Sequence, residues 1–202
     1  MNELKKKRIK AVLKYTWPFY IILVVIIAFL MNFIFGVTHK TPNYKTLTLF
    51  VSGEISDRKL LEKDINEKFK DKDLKLLSVI QAYPSDANYH NKLSVPGYNT
   101  ADVLILPETV MKDINLSAFA LELGSELLNS TYQEFATFKQ ENVDYGIKLD
   151  KQKVSSYMKL PDEDCYMLLN AISENIGKYS SKKNNEEHTN ALELVKDWGS
   201  NV

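Results

Sequence analysis

Cysteine is nearly absent. Cys165 is the only one in 202 residues, so no intramolecular disulfide can form and the fold must be held by packing alone. Set in an apolar stretch, that thiol reads as a small buried core residue rather than a nucleophile. Glycine patterns that carry chemistry are missing too, with no Gly-x-Ser-x-Gly elbow, Walker loop or dinucleotide fingerprint. The histidines His39, His90 and His188 lie far apart, and none has a ligating partner three or four residues on, so they form no zinc pattern. Asp162-Glu-Asp164 matches no calcium loop and reads as a solvated turn. Internal repeats, heptads and low-complexity tracts do not occur. Together these absences argue against an enzyme and predict neither cofactor nor metal.

Charge is absent from residues 15–38, whose centre runs Tyr20-Ile-Ile-Leu-Val-Val-Ile-Ile-Ala-Phe-Leu-Met-Asn-Phe-Ile-Phe35. A helix rises about 1.5 Å per residue, so about 20 such residues cross a bilayer core about 30 Å thick. Before this stretch stand Lys5, Lys6, Lys7, Arg8, Lys10 and Lys14 against Glu3 alone, a balance of +5. From Thr41 onward 19 Lys and Arg face 25 Asp and Glu, a balance of −6, so the formal net charge of zero conceals a separation. Basic residues beside a crossing stay in the cytoplasm, which predicts a single-pass cell-membrane protein with its N-terminus inside and its acidic domain outside. The apolar run is longer than that of a cleaved signal, and Phe35-Gly-Val-Thr-His-Lys40 offers no small-x-small cleavage site. With no cysteine near its end, a lipid-attached N-terminus is excluded. Trp17, Pro18 and Tyr20 suit the interface, with Pro18 in the first turn of the crossing. The segments expected are a basic tail (1–14), an anchor helix (15–38), a spacer (39–45) and one extracytoplasmic domain (46–202). An acidic domain and a membrane-proximal basic cluster leave no nucleic-acid face. The abundance of Lys and Asn points to an AT-rich bacterial genome.

The domain alternates strand and helix patterns. Residues 46–51 are apolar and β-branched, Ser56 is a candidate cap for an amphipathic helix through Phe69, and residues 74–80 make a second strand after a turn at 71–73. Residues 83–100, with Pro84, Pro96 and Gly97, read as a long irregular loop. Residues 101–106 form a strand covered on both faces. Short helices follow over 108–114 and 122–129, with an apolar connection at 116–121 against the sheet edge. Phe135 and Phe138 suggest a helical turn, and 143–149 alternates like a strand. A strand ends near Asn170, a hydrophilic loop covers 180–187, and residues 189–198 form a terminal helix capped by Gly199. This order predicts a three-layer α/β domain with a mainly parallel sheet.

Leu47-Thr-Leu-Phe-Val-Ser-Gly53, a charged amphipathic helix, a second strand and then Thr100-Ala-Asp-Val-Leu-Ile-Leu106 resemble the first lobe of type 2 extracellular (periplasmic-type) solute-binding proteins. Val143-Asp-Tyr-Gly-Ile-Lys148 looks like the family strand that leads toward the second lobe, with Lys148 where the family has proline. Tyr166-Met-Leu-Leu-Asn-Ala-Ile-Ser-Glu-Asn-Ile-Gly177 and the helix after it are similar to the return into the first lobe. The resemblance implies solute binding, but residues 149–165 leave no room for a second lobe, and a transmembrane helix stands in place of the lipoprotein cysteine. Both departures favour a role beside a membrane partner.

In open α/β sheets ligands bind beyond the carboxyl ends of the strands. That edge offers Ser52, Gly53 and Glu54 after the first strand, Tyr83 and Ser85 after the second, and Glu108 and Thr109 after the third, with Asn170 beside them. Tyr83, Tyr89 and Tyr98 either line a shallow pocket there or cover the core beneath the loop. The expected partners are the bilayer, a membrane protein such as a transporter or sensor, and a small solute. The alternative is a cell-envelope structural or assembly protein that binds another protein and no small ligand.

Overall fold

The computed structural model describes residues 3–38, 41–72, 74–182 and 188–201. His39 and Lys40 of the expected spacer, Asp73 of the turn at 71–73 and residues 183–187 of the hydrophilic loop lie outside the described residues. The chain forms two compact units, divided between Thr41 and Pro42.

The first unit is one helix, α1 (Glu3–Thr38). Within it Lys14–Gly36, 23 residues of mean hydropathy 2.7 with none buried, is long and apolar enough to cross a membrane. The expected boundary between tail and anchor falls inside continuous helix, because Leu, Lys, Arg and Ala are strong helix formers. Pro18 accordingly lies in the helix interior, not in its first turn.

In the second unit a six-stranded sheet has the order β3-β1-β4-β8-β6-β5. Its strands are β1 (Thr46–Ser52), β3 (Leu76–Ala82), β4 (Val103–Pro107), β5 (Thr137–Gln140), β6 (Val143–Lys148) and β8 (Cys165–Leu169). β1 pairs in parallel with β3 and β4, whereas β4/β8, β8/β6 and β6/β5 are antiparallel. β3, β1, β4 and β6 therefore run one way and β8 and β5 the other, which makes the sheet mainly parallel in direction. Two short strands, β2 (Glu54–Ile55) and β7 (Met158–Lys159), form a separate antiparallel pair.

Alternation decides which side each residue serves. Leu47, Leu49 and Val51 of β1, Val103 and Ile105 of β4, and Cys165, Met167 and Leu169 of β8 face one core. There they meet Leu61 and Ile65 of α2 (Arg58–Lys68), and Leu194, Val195 and Trp198 of the terminal helix Asn190–Trp198. Phe50, Leu104, Leu106, Tyr166 and Leu168 face a second core with Tyr89, Leu93 and Met111. Helices thus cover both faces, giving the three-layer α/β architecture the sequence predicts. All five residues of β4 are buried, as its continuous apolar run requires.

Several local expectations are corrected. α2 is capped by Asp57, whose carboxylate accepts from the Leu60 N–H at 3.0 Å, not by Ser56, whose own N–H is spent on the Tyr157 carbonyl. The second strand starts at Leu76 rather than residue 74. The region read as a loop holds consecutive helical turns, Tyr89–Lys92, Leu93–Gly97 and Tyr98–Thr100, with Pro96 inside the wide π-type middle turn. The helix expected over 122–129 is one turn, Ser125–Leu127, continued by a π-type turn, Leu128–Tyr132. Phe138 lies in β5, not in a helix. The β5–β6 hairpin turns on Glu141 (φ 51°) and Asn142 (φ 66°), the pair of left-handed residues that a tight two-residue hairpin demands.

Candidate functional site

The expected site at the carboxyl ends of the parallel strands is assembled only in part. Ser52 is buried, and its hydroxyl lies 2.5 Å from the Tyr89 hydroxyl, itself buried. Desolvation pushes the Tyr89 phenol up to about 12, so it stays neutral. Gly53 is a packing position, since a Cβ there would stand 2.6 Å from the Lys159 carbonyl oxygen and 3.0 Å from Leu160. Gly53→Ala should therefore split β2 from β7 and lower stability by about 1–3 kcal/mol in urea denaturation. Gly124→Ala, where a Cβ meets nothing within 4 Å, serves as the control and should show no loss.

Glu54 is exposed at the start of β2, next to Tyr83, whose phenol is raised by desolvation first and then by the Glu54 charge. Ser85 is exposed on the turn beyond. At the end of β4, Glu163 accepts from the Thr109 N–H at 3.0 Å and from its hydroxyl at 2.8 Å, while Glu108 pairs with Lys112 at 2.5 Å. Those polar groups are occupied by one another. Tyr98 stacks on Phe119 at 3.9 Å between ring centroids, and only Tyr83 of the three tyrosines is exposed. Tyr89 and Tyr98 thus cover core, and no shallow tyrosine-lined pocket forms from the three.

Asn170 does not join this group. β8 runs antiparallel to β4, so its carboxyl end reaches the opposite edge of the sheet. There the Asn170 amide donates to the Tyr98 and Ala101 carbonyls at 2.8 and 2.9 Å, and its oxygen accepts from the Ile172 N–H.

That opposite edge holds a cleft of about 170 Å³. Its floor is Asp102, a carboxylate only 7% exposed. One carboxylate oxygen accepts from the Thr48 N–H at 2.7 Å and the other from the Ser173 hydroxyl at 2.5 Å. The Ser173 oxygen accepts in turn from the Asn175 N–H at 3.0 Å, while the Asn175 amide donates to the Thr46 carbonyl and accepts from Asn190. β1, β4 and the segment after β8 are thereby tied to one carboxylate. Desolvation is the largest influence on Asp102 and outweighs these hydrogen bonds, raising its pKa from 3.8 to about 6. The rim carries the side chains of Thr46, Thr48, Asn99, Glu174 and Lys182. Hydroxyls, amides and carboxylates at this density suit a small polar molecule that both donates and accepts hydrogen bonds. A second depression, of about 240 Å³ beside Phe135 and Lys196, is lined by no buried residue.

Sequence reasoning missed the cleft because the carboxyl-edge rule pointed to the other side of the sheet. The available signals were a charged residue opening an otherwise apolar strand, Ala101-Asp-Val-Leu-Ile-Leu106, and the polar Ser173-Glu-Asn175 after β8. The residues lining the cleft include Ser173 and Asp102 but no His or Cys. Cys165 is buried, and desolvation pushes its thiol up to about 11. Among the described residues no group of three or more His, Cys, Asp or Glu side chains converges to hold a metal.

The chain matches no protein-family model and no curated protein. Among solved structures, part of the maltose/maltodextrin-binding domain MalE from Bdellovibrio bacteriovorus, bound to maltotriose, superposes on 52% of this chain with a TM-score of 0.38 at 14% identity. Part of a protein described for xylan utilization by the thermophilic bacterium Caldanaerobius polysaccharolyticus superposes on 55% of it, with a TM-score of 0.33 at 16% identity. The matches span 28% and 33% of those two chains.

Proposed function

We propose that the chain is a membrane-anchored, extracytoplasmic binding domain, single-pass with its N-terminus in the cytoplasm, acting beside a transporter or sensor in the same membrane. The observation that carries this reading is the apolar stretch Lys14–Gly36, none of it buried, preceded by a basic segment and followed by an acidic domain that forms a compact unit of its own. A helix of this length and apolarity suits the hydrocarbon core of a bilayer, and the Lys and Arg clustered just before it favour keeping that end in the cytoplasm. The domain then contributes recognition rather than chemistry. Its cleft around Asp102 is the place for a small polar solute.

Thermal unfolding of the full chain in detergent micelles, screened against amino acids, amines, and mono- and oligosaccharides, tests the solute. A ligand that binds only the folded state at 100 times its dissociation constant adds about 2.7 kcal/mol and raises the melting temperature. If no solute shifts it, while crosslinking in cells captures one specific membrane protein, the structural or assembly role replaces this one. Orientation is read separately. Protease added to intact cells, with the outer layers opened, should remove the domain and spare the basic segment, and a protected domain overturns the topology.

A further inference from the structure

The cleft around Asp102 is rich in acceptors because its donors are turned inward. The Thr48 N–H and the Ser173 hydroxyl are spent on the Asp102 carboxylate. At the rim the Asn43 amide donates to one Glu174 oxygen at 3.2 Å, the Asn99 amide to the Ser94 and Val95 carbonyls, and the Thr100 hydroxyl to the Pro96 carbonyl at 2.5 Å. Among the described residues no donor reaches the other Glu174 oxygen or the Asn99 side-chain oxygen. Asp102 is buried on the floor, and Glu174 stands half-buried next to Ser173, so two carboxylates line one small cleft. Lys182, exposed at the rim, is the one cation among the described lining residues.

A lining of acceptors is completed by a ligand that donates, and paired carboxylates by one that is positive. The two carboxylates already act on each other. Desolvation first, and then the Glu174 charge, raise the Asp102 pKa, and a cation placed between like charges removes that conflict. A calcium-type ion takes about 6–8 oxygens, more than this pair supplies when both Asp102 oxygens already accept from the protein. A primary ammonium has only three hydrogens to place. Size narrows the ligand further. At about 170 Å³ the cleft falls short of the roughly 300–1,000 Å³ of pockets for drug-sized ligands, so an oligosaccharide exceeds it and a molecule of a few heavy atoms fits. We propose that the cleft seats the primary ammonium group of a small solute, an amine or an amino acid, between Asp102 and Glu174. This rests on the cleft being the solute site. Lys182 separates the two sources, since it offers a counter-charge to the carboxylate of an amino acid and none to a plain amine.

Calorimetric titration of the full chain in detergent micelles, at about pH 7, tests this with ethanolamine and alanine as ammonium probes and ethylene glycol and glucose as neutral counterparts. At least one ammonium probe should bind, more than about ten-fold tighter than either neutral molecule. Glu174→Gln, whose side-chain oxygen can still accept from the Asn43 amide, should weaken that binding roughly 10- to 100-fold, the worth of one hydrogen bond to a charged group. Glu134→Gln removes a carboxylate beside the second depression instead and should leave the affinity as it was. Alanine bound more tightly than ethanolamine, with the preference lost in Lys182→Gln, identifies an amino acid, and the reverse order identifies a free amine. Ammonium binding that Glu174→Gln does not weaken overturns the proposal, and so does the failure of both ammonium probes to bind. If glucose then binds in their place and Asp102→Asn weakens it, the cleft remains a solute site for neutral molecules. If the wider thermal screen is blank as well, the solute reading falls with the proposal.

Discussion

Trp198→Ala should remove about 3–5 kcal/mol from the unfolding free energy of the domain, a large share of the roughly 5–15 kcal/mol typical of such a fold. Trp198 is fully buried, the largest of the side chains so enclosed. It closes the core on the α2 side, where its ring lies 6.1 Å from that of Tyr157 and the terminal helix presses Leu194 and Val195 onto the sheet. Its neighbours cannot close in on the vacated volume, because they belong to elements already pinned elsewhere. The Asp150 N–H is held by the Trp198 carbonyl, and the Gly199 N–H by that of Val195. Close to Gly199, a Cβ would stand 2.7 Å from the Phe135 ring, so that corner is full. Urea denaturation followed by far-UV circular dichroism reads the loss as a lower midpoint at unchanged slope. Trp198→Phe, which retains a ring in the same space, should lose visibly less. A loss below about 1 kcal/mol for the alanine variant would show that the terminal helix contributes little to the core.

The reach of the sequence was set by how local each signal is. β1 and β4 were legible because Leu49-Phe-Val51 and Val103-Leu-Ile-Leu106 are short unbroken apolar runs closed by Gly53 and Pro107, and the long apolar helix because a run without charge is unmistakable. The terminal helix was found through Leu192, Val195 and Trp198 at helical spacing. Residues 83–100 were misread because Pro96 and Gly97 signal a break in isolation, whereas here Tyr89 and Leu93 dock on the second core and a wide π-type turn accommodates the proline. Phe135 and Phe138, three residues apart, looked helical, yet Phe135 packs on one core and Phe138 on the other. β2 and β7 have two residues each, too few to show any period. The sheet order was beyond local reading altogether. Nothing near residues 165–170 says that the strand returns antiparallel beside β4, and that return is what carries Asn170 and Ser173 to the edge where Asp102 lies. The cleft is therefore a product of topology, and only its separate polar residues were visible beforehand.

Asp102 should make the domain's stability fall with rising pH, the reverse of the usual carboxylate contribution. Its pKa is about 6 when folded against an ordinary 3.8, so between those values the folded state binds the proton that the unfolded state has released. Stability tied to this group is complete below about pH 3.8 and is lost as pH rises through 6. A gap of about two units at 1.36 kcal/mol each gives a swing on the order of 3 kcal/mol. Other carboxylates contribute slopes of their own, so the measured quantity is the difference between the protein and Asp102→Asn. The asparagine keeps the shape of the site. Its oxygen can accept from the Thr48 N–H, and its amide can donate to the Ser173 oxygen once that hydroxyl turns away. Denaturant midpoints for both chains from pH 4 to pH 8 should diverge, the variant gaining on the parent by up to about 3 kcal/mol across the window. Parallel curves would mean that the carboxylate is as well solvated when folded as when unfolded. Asp102→Ala distinguishes charge from connection. Without either acceptor, the Thr48 N–H and the Ser173 hydroxyl are left to find others inside a buried network, at a cost of about 1–3 kcal/mol each where they fail, and that loss should persist at every pH. The same titration bears on recognition. A cationic solute seated on the cleft floor favours the ionised carboxylate, so its affinity should rise from pH 5 to pH 7, whereas a neutral solute held by the rim hydroxyls and amides should show a much smaller dependence.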